Sequence, residues 1–318
     1  VLIMLQYLIA RLAIAIPTFL AVMLVTFTLT VISPFDPVEM MLAQQEILDT
    51  LQRDEIIART RQQYGLDESF TVQFTRYVER VMTGDLGISI VGQRDVLRTI
   101  VKTFPISFQL GLAGAFFTAL IGIPLGAIAA LKQNSWVDYT IVGGTLVFRS
   151  LPVFVLAPLL LVFFVLVLGV MKVPRGWDGL FNHKTILPIA ILMLGPLPVV
   201  VRQTRQAVLD IFAQDYIRTA KAKGLKMWMI IGHHILRNAL IPVVTTLGFI
   251  AEGLIVGSIF LDSIFAIPGF GGVAEAAFRG FDYPMLLGVT MVSSLMIILT
   301  NLLVDIIYPF LDPRIQLE

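Results

Sequence analysis

The chain has 318 residues, of which 57% are hydrophobic and only 14% charged. That is too little polar surface to clothe a soluble globule of this size, so the composition excludes a soluble enzyme or nucleic-acid binder and predicts an integral membrane protein. The formal net charge of +1 names no partner, and the absence of cysteine excludes disulfides, thiolate catalysis and cysteine-ligated metal centres.

The apolar stretches are continuous rather than alternating, which favours helices over a barrel, because helices satisfy their own backbone hydrogen bonds in lipid. The predicted fold class is all-α and polytopic. A span needs about 20 apolar residues, and six stretches qualify: Tyr7–Ile32, Phe104–Leu131, Tyr139–Val170, Ile186–Val201, Leu240–Phe260 and Met285–Phe310. The first is too long for a signal peptide and ends in Ser33-Pro34-Phe35-Asp36-Pro37 without a small-x-small cleavage site, so it reads as an uncleaved helix.

Residues 33–102 follow as an external segment that holds half of the acidic residues. Amphipathic helices are expected near Val38–Leu51, Asp54–Tyr64 and Ser69–Met82, broken by Gly65 and by Gly84-Asp85-Leu86-Gly87. Residues 103–318 then form a core of five spans.

Within that core, Gly122-x-x-x-Gly126 and Gly253-x-x-x-Gly257 permit close helix packing. Arg149 in the third span and Glu252 in the fifth are charges at membrane depth. Each such charge costs about 2.5–3.5 kcal/mol on insertion scales, so both fit either a polar translocation path or structural pairing. Asp305, late in the sixth span, reads as structural. The fourth span is short and interrupted by Pro188, Gly195, Pro196 and Pro198, which suits a gate or a fixed kink.

The loop 202–239 carries Arg202, Arg205, Arg218, Lys221, Lys223, Lys226 and Arg237 against only Asp210 and Asp215, which places it in the cytoplasm. Both termini then lie inside as well. The loop from Lys172 to Lys184, with Arg175 between them, runs against this orientation. Within 202–239, Asp215 is a candidate N-cap, Gly224 suits a left-handed C-terminal position, and the cations gather toward the C-terminal end, describing a helix of about two turns. The same features fit a basic loop held against anionic lipid.

The stretch Ile217-Arg218-Thr219-Ala220-Lys221-Ala222-Lys223-Gly224, with Asn238-Ala239-Leu240-Ile241-Pro242 downstream, resembles the loop signature of ABC-importer permeases in the form used by the oligopeptide/dipeptide uptake class. The general signature opens with Glu-Ala-Ala, and here Arg218-Thr219-Ala220 stands in its place. The resemblance covers nearly the whole chain. It includes Tyr64-Gly65-Leu66-Asp67, Gly84-Asp85-Leu86-Gly87 with Ser89, and Trp136-Val137-Asp138-Tyr139. It continues through Ile267-Pro268-Gly269, Asp282-Tyr283-Pro284 and the series Asn301, Asp305, Tyr308, Asp312-Pro313-Arg314.

The resemblance implies an ATPase-coupling segment formed by Asp215, Tyr216, Arg218, Thr219, Ala220, Lys221, Lys223 and Gly224. It also implies a second homologous permease subunit, two ATPase subunits, an extracytoplasmic peptide-binding protein and a place in the bacterial cytoplasmic membrane. Nickel chelates or haem are alternative cargoes. No Walker-type Gly-x-x-x-x-Gly-Lys-[Ser/Thr] occurs, so ATP and Mg are expected in the partner subunits. An ion-coupled secondary transporter would show inverted repeats, and none is evident. An intramembrane enzyme would need paired carboxylates, HExxH or a serine–histidine arrangement, and these are absent too. His233 and His234 are adjacent, so on an α-helix they point about 100° apart and suit no common ion.

Overall fold

The computed structural model describes residues 2–33, 38, 55–59, 61–62, 65–256 and 259–311. Among these the chain is helical with no strand, apart from an isolated antiparallel bridge between Ile88 and Asp95. It divides into two compact units, one from residues 1–106 and 269–298, the other from 107–268 and 299–318. Among the described residues four helices are long and apolar enough to cross a membrane, or up to seven stretches if each bent pair of helices is one span.

The first unit begins with α1 (Leu2–Ile32) and α2 (Phe70–Thr83). The helix expected over Ser69–Met82 is therefore present, with Ser69 at the N-cap and Gly84 closing it at φ 78°. Residues 55–59 of the second expected helix are helical too, whereas residues 39–51 of the first lie outside the described residues. Phe27 on α1 packs among Phe70, Phe74 and Tyr77 on α2, with ring centroids 5.3–5.6 Å apart. Burial there pushes the Tyr77 phenol up to about 12, because the ionised form would lose its hydration.

The start of α3 (Val96–Leu131) supplies Val96 and Ile100 to a core shared with Phe270 and Ala277 of α11 (Phe270–Arg279) and with Met285 and Val289 of α12 (Tyr283–Leu311). A buried carboxylate holds the loops beside this core. Asp282 accepts from the Ser89 hydroxyl, from the Ile90 amide at 3.2 Å and from the Met285 amide at 3.4 Å. Two landmarks remote in sequence, the one ending in Ser89 and Asp282-Tyr283-Pro284, thus form one polar lock.

In the second unit, α3 continues into α4 (Trp136–Ser150) and α5 (Val153–Leu161). The single span expected over Tyr139–Val170 is instead two helices bent by 102°. Leu151 is extended (φ −100°, ψ 119°) ahead of Pro152, as the clash of a proline ring with the preceding residue requires. Past Pro158, α5 widens into a π-helical segment, Val162–Val167.

The fourth expected span is broken as its prolines suggest. Helices α6 (Ile186–Leu194) and α7 (Leu197–Phe212) meet at 50° across Gly195-Pro196. Here the sequence reading needs correcting: α7 does not stop at Val201 but runs to Phe212, so Arg202, Arg205 and Asp210 are helical residues and not loop residues. The chain goes on through α8 (Asp215–Ala222), a π-helical segment Ile230–Leu236 containing His233 and His234, α9 (Arg237–Val256) and α10 (Ile259–Phe265).

Close approach of α3 and α7 depends on glycine. A Cβ on Gly122 would lie 2.8 Å from Val200 Cγ1, and one on Gly126 would lie 2.5 Å from the Val201 carbonyl and 2.7 Å from Thr204 Cβ. The first small-xxx-small pair therefore packs as expected. At Gly253 a Cβ would meet nothing within 4 Å, and Gly257 lies outside the described residues.

Candidate functional site: the amphipathic helix Asp215–Ala222

Helix α8 is short and two-faced. Ile217 and Ala220 are 0% and 7% exposed, and they pack against Ala207 and Val208 of α7, Ile230 and Ile235 of the π-helical segment, and Ala239 of α9. The residues around them turn outward: Tyr216, Arg218, Thr219, Lys221 and Lys223 are all exposed. An eight-residue helix is too short to be stable alone in water. Its two apolar anchors, three residues apart on one face, attach it to the end of α7.

Its ends refine the sequence reading. The N-cap position falls on Gln214, in extended conformation, and Asp215 is the first helical residue. Asp215 therefore does not cap the helix through its side chain. Its carboxylate is 94% exposed and lies 3.3 Å from Arg218, where it still favours the positive end of the helix dipole.

At the other end the expectation holds. Gly224 has φ 72°, its amide donates to the Lys221 carbonyl at 3.0 Å, and the Leu225 amide donates to the Ala220 carbonyl at 3.3 Å. This is the paired bonding of a Schellman motif, which ends a helix on a left-handed residue. Further contacts hold the outer residues: Lys221 Nζ sits 4.7 Å from the Phe212 ring centroid, the Asn238 amide donates to the Tyr216 hydroxyl at 3.3 Å, and the Thr219 hydroxyl donates to the Asp215 carbonyl.

One element bracing this site was missed from sequence. Asp138, 2% exposed, accepts two hydrogen bonds from Arg205, Nε to Oδ1 and Nη2 to Oδ2, both at 2.7 Å. The Asn134 amide donates to the same Oδ2 at 3.0 Å. The pair fastens the start of α4 to α7 seven residues before Phe212. Asp138 belongs to the Trp136-Val137-Asp138-Tyr139 landmark, so the motif was visible in sequence, but its partner, 67 residues away, was not.

Arg149 and Glu252 are not gathered into one site. Arg149 occupies the last turn of α4, exposed, in a groove with Arg202 and Gln203 of α7. Glu252 lies on α9 outside that groove, half-buried, with Oε2 enclosed and without a hydrogen-bond partner among the described residues. The side chains of Asp305, His233 and His234 lie outside the described residues. Among the described residues no cluster of histidine and carboxylate side chains could hold a metal.

Helix α8 thus has an anchored inner face and a cationic outer face. The family described as "Binding-protein-dependent transport system inner membrane component" matches residues 122–317, and its N-terminal companion matches residues 4–111. The chain belongs to this family.

Among curated relatives, the dipeptide transport system permease protein DppB of Escherichia coli strain K12 is 36% identical over 98% of this chain and 99% of its own length. DppB of Bacillus subtilis is 38% identical over 80% of this chain and 82% of its own. The oligopeptide transport system permease protein OppB of Haemophilus influenzae is 34% identical over 98% of this chain and all of its own. The fold resembles a chain of the MetNI methionine ABC transporter in an inward-facing conformation, with a TM-score of 0.58, 19% identity, and coverage of 68% of this chain and 97% of that one. As a member of the family, this chain is the inner-membrane component of a binding-protein-dependent transport system.

Proposed function

We propose that this permease carries peptides into the cell, using ATP hydrolysed by other subunits. The observation that carries the reading is α8, whose inner face is fixed by Ile217 and Ala220 and whose outer face presents Tyr216, Arg218, Thr219, Lys221 and Lys223. The peptide cargo is supported by relatives of full length named for dipeptide and oligopeptide transport.

In this scheme two ATPase subunits, holding ATP and Mg, grip α8 from the cytoplasm. A second homologous permease completes the path, an extracytoplasmic binding protein delivers the peptide, and lipid surrounds the spans. Both termini and α8 face the cytoplasm, and residues 33–102 lie outside. The Lys172–Lys184 loop runs against this orientation and is outweighed by the larger count of Lys and Arg in residues 202–239.

The cationic outer face distinguishes this permease from one whose signature opens with glutamate. Arg218 occupies that first position with a 76% exposed side chain, so the ATPase surface it meets is expected to be acidic. The test is reconstitution with the two ATPases and the binding protein. Peptide-stimulated ATP hydrolysis and uptake should be lost together when the outer face of α8 is altered. Uptake that persists without the ATPases would overturn the proposal.

A further inference from the structure

The groove between α4 and α7 has a charge pattern that neither the Asp138–Arg205 pair nor the docking helix accounts for. It encloses about 690 Å³ and is lined by Asp138, Tyr139, Val142, Leu146 and Arg149 on one side and by the 198–206 stretch of α7 on the other. That volume lies within the range of sites that hold small molecules. Its floor is apolar, from Val142, Leu146, Pro198 and Val199.

The charge is unbalanced. Three arginines line the groove, Arg149, Arg202 and Arg205, against a single acid, Asp138. Both oxygens of Asp138 are already engaged, by Arg205 and by the Asn134 amide. Arg205 is thereby neutralised, whereas Arg149 and Arg202 are exposed and have no acid facing them in the lining.

Depth makes this costly. Arg149 is eleven residues beyond Asp138 on α4, about 16 Å along the helix axis at a rise of 1.5 Å per residue, and Arg202 lies one turn from Arg205 on the side away from α8. Charges at that depth face a water-filled path or a counter-charge, because lipid solvates them poorly.

We propose that this groove is the chain's wall of the solute path, where Arg149 and Arg202 receive the C-terminal carboxylate of the transported peptide. The inference rests on the peptide-importer reading. It also sets the polarity of the contact: with Asp138 engaged by Arg205, the remaining charge in the lining is that of Arg149 and Arg202, so the anionic end of the peptide is the one favoured here. The apolar floor between the arginines suits the adjoining side chain, without demanding a particular one.

The test uses the reconstituted complex and the lack of cysteine in this chain. Val142→Cys and Leu146→Cys are labelled by an anionic and a cationic methanethiosulfonate of similar size, with the label read on this chain. The anionic reagent should react about tenfold faster, as expected for a cleft lined by one sign of charge. The preference should fall close to unity with Arg149→Gln/Arg202→Gln. During turnover, a tripeptide with a free carboxylate should slow labelling more than its C-terminal amide.

Lack of labelling by either reagent would mean that protein or lipid fills the groove, and would overturn the proposal. So would labelling without charge preference or without protection by the free carboxylate. A preference lost whenever anionic phospholipid is included in otherwise zwitterionic vesicles would assign the arginines to lipid phosphate instead. ATPase association is measured on the same preparation. Its absence counts against the importer reading, whereas a failed charge preference with the ATPase present counts against the groove alone.

Discussion

Asp138 and Arg205 meet side-on, through two hydrogen bonds of 2.7 Å, where α4 begins and α7 approaches α8. Their side chains are 3% and 23% exposed. Asp138 is the enclosed member, so removing Arg205 strands a carboxylate with little access to water, whereas removing Asp138 leaves a guanidinium that still faces the groove. The pair also braces the segment of α7 that carries Ala207 and Val208, on which Ile217 and Ala220 of α8 rest.

The first prediction is that Arg205→Ala, which leaves the buried carboxylate alone, destabilises the detergent-solubilised permease by about 3–5 kcal/mol, and Asp138→Ala by less. The double variant should be less damaged than the two single effects added together. Thermal unfolding of the four members of this cycle measures the coupling. Additive losses would mean that the two side chains act independently.

A second prediction concerns the α3–α7 seam. A Cβ at Gly126 would sit 2.5 Å from a backbone oxygen that has no rotamer with which to yield. Overpacking of this kind costs about 1–3 kcal/mol, so Gly126→Ala should lower the unfolding temperature or the yield of folded permease. Gly253→Ala, where the new methyl meets nothing within 4 Å, is the matched control and should be nearly neutral.

The third prediction tests the lock in the first unit. Asp282 is 4% exposed and accepts from one hydroxyl and two amides. Asp282→Ala leaves three donors without their acceptor, each worth about 1–3 kcal/mol if it stays buried and unsatisfied. Ser89→Ala removes one donor and should cost less. Limited proteolysis after Gly84 and before Val96 should accelerate in the order wild type, Ser89→Ala, Asp282→Ala.

What was legible in the sequence follows from the range of the forces involved. Apolar length alone marked the membrane class, and local chemistry marked α2, the Gly224 stop and the break at Pro196, because proline and glycine act on their immediate neighbours. The 102° bend was not foreseen, since Leu151-Pro152 interrupts an unbroken apolar run. Nor was the continuation of α7 to Phe212. Counting Arg202 and Arg205 as loop cations set the boundary too early, and the acid that lets Arg205 lie within a helix bundle is 67 residues upstream. Asp215 was misjudged by one position, which separates a capping residue from the first residue of the helix. Pairings at long sequence separation carry no local signal.

A fourth prediction follows the charge on α8. Arg218→Glu restores the acid with which the general signature begins, yet in this chain it should weaken ATPase association, because the exposed guanidinium is expected to meet an acidic partner surface. Like charges set opposite one another disfavour association and slow its on-rate. Association rates at low and moderate salt decide the point: the defect should shrink as salt rises, and an Arg218→Glu permease that binds as fast as wild type at low salt would rule out the acidic surface.

The last prediction isolates conformation from packing at Gly224. Its φ of 72° is left-handed, and a Cβ placed there would meet nothing within 4 Å. Substitution is therefore free of steric clash with the rest of the chain and costs only what the backbone exacts. That cost is about 1–2 kcal/mol for an ordinary L-residue and most restrictive for a β-branched one. Asparagine tolerates the same region better. Gly224→Val should leave the membrane spans inserted and paired, yet unwind or extend the last turn of α8, since the Gly224 and Leu225 amides would lose their bonds to Lys221 and Ala220. ATPase binding and peptide-stimulated hydrolysis should fall sharply for Gly224→Val and mildly for Gly224→Asn in reconstituted vesicles. Equal activity in both variants and the wild type would show that the end of α8 plays no part in coupling, while equal and severe loss in both would point to a role for the glycine beyond its backbone angle.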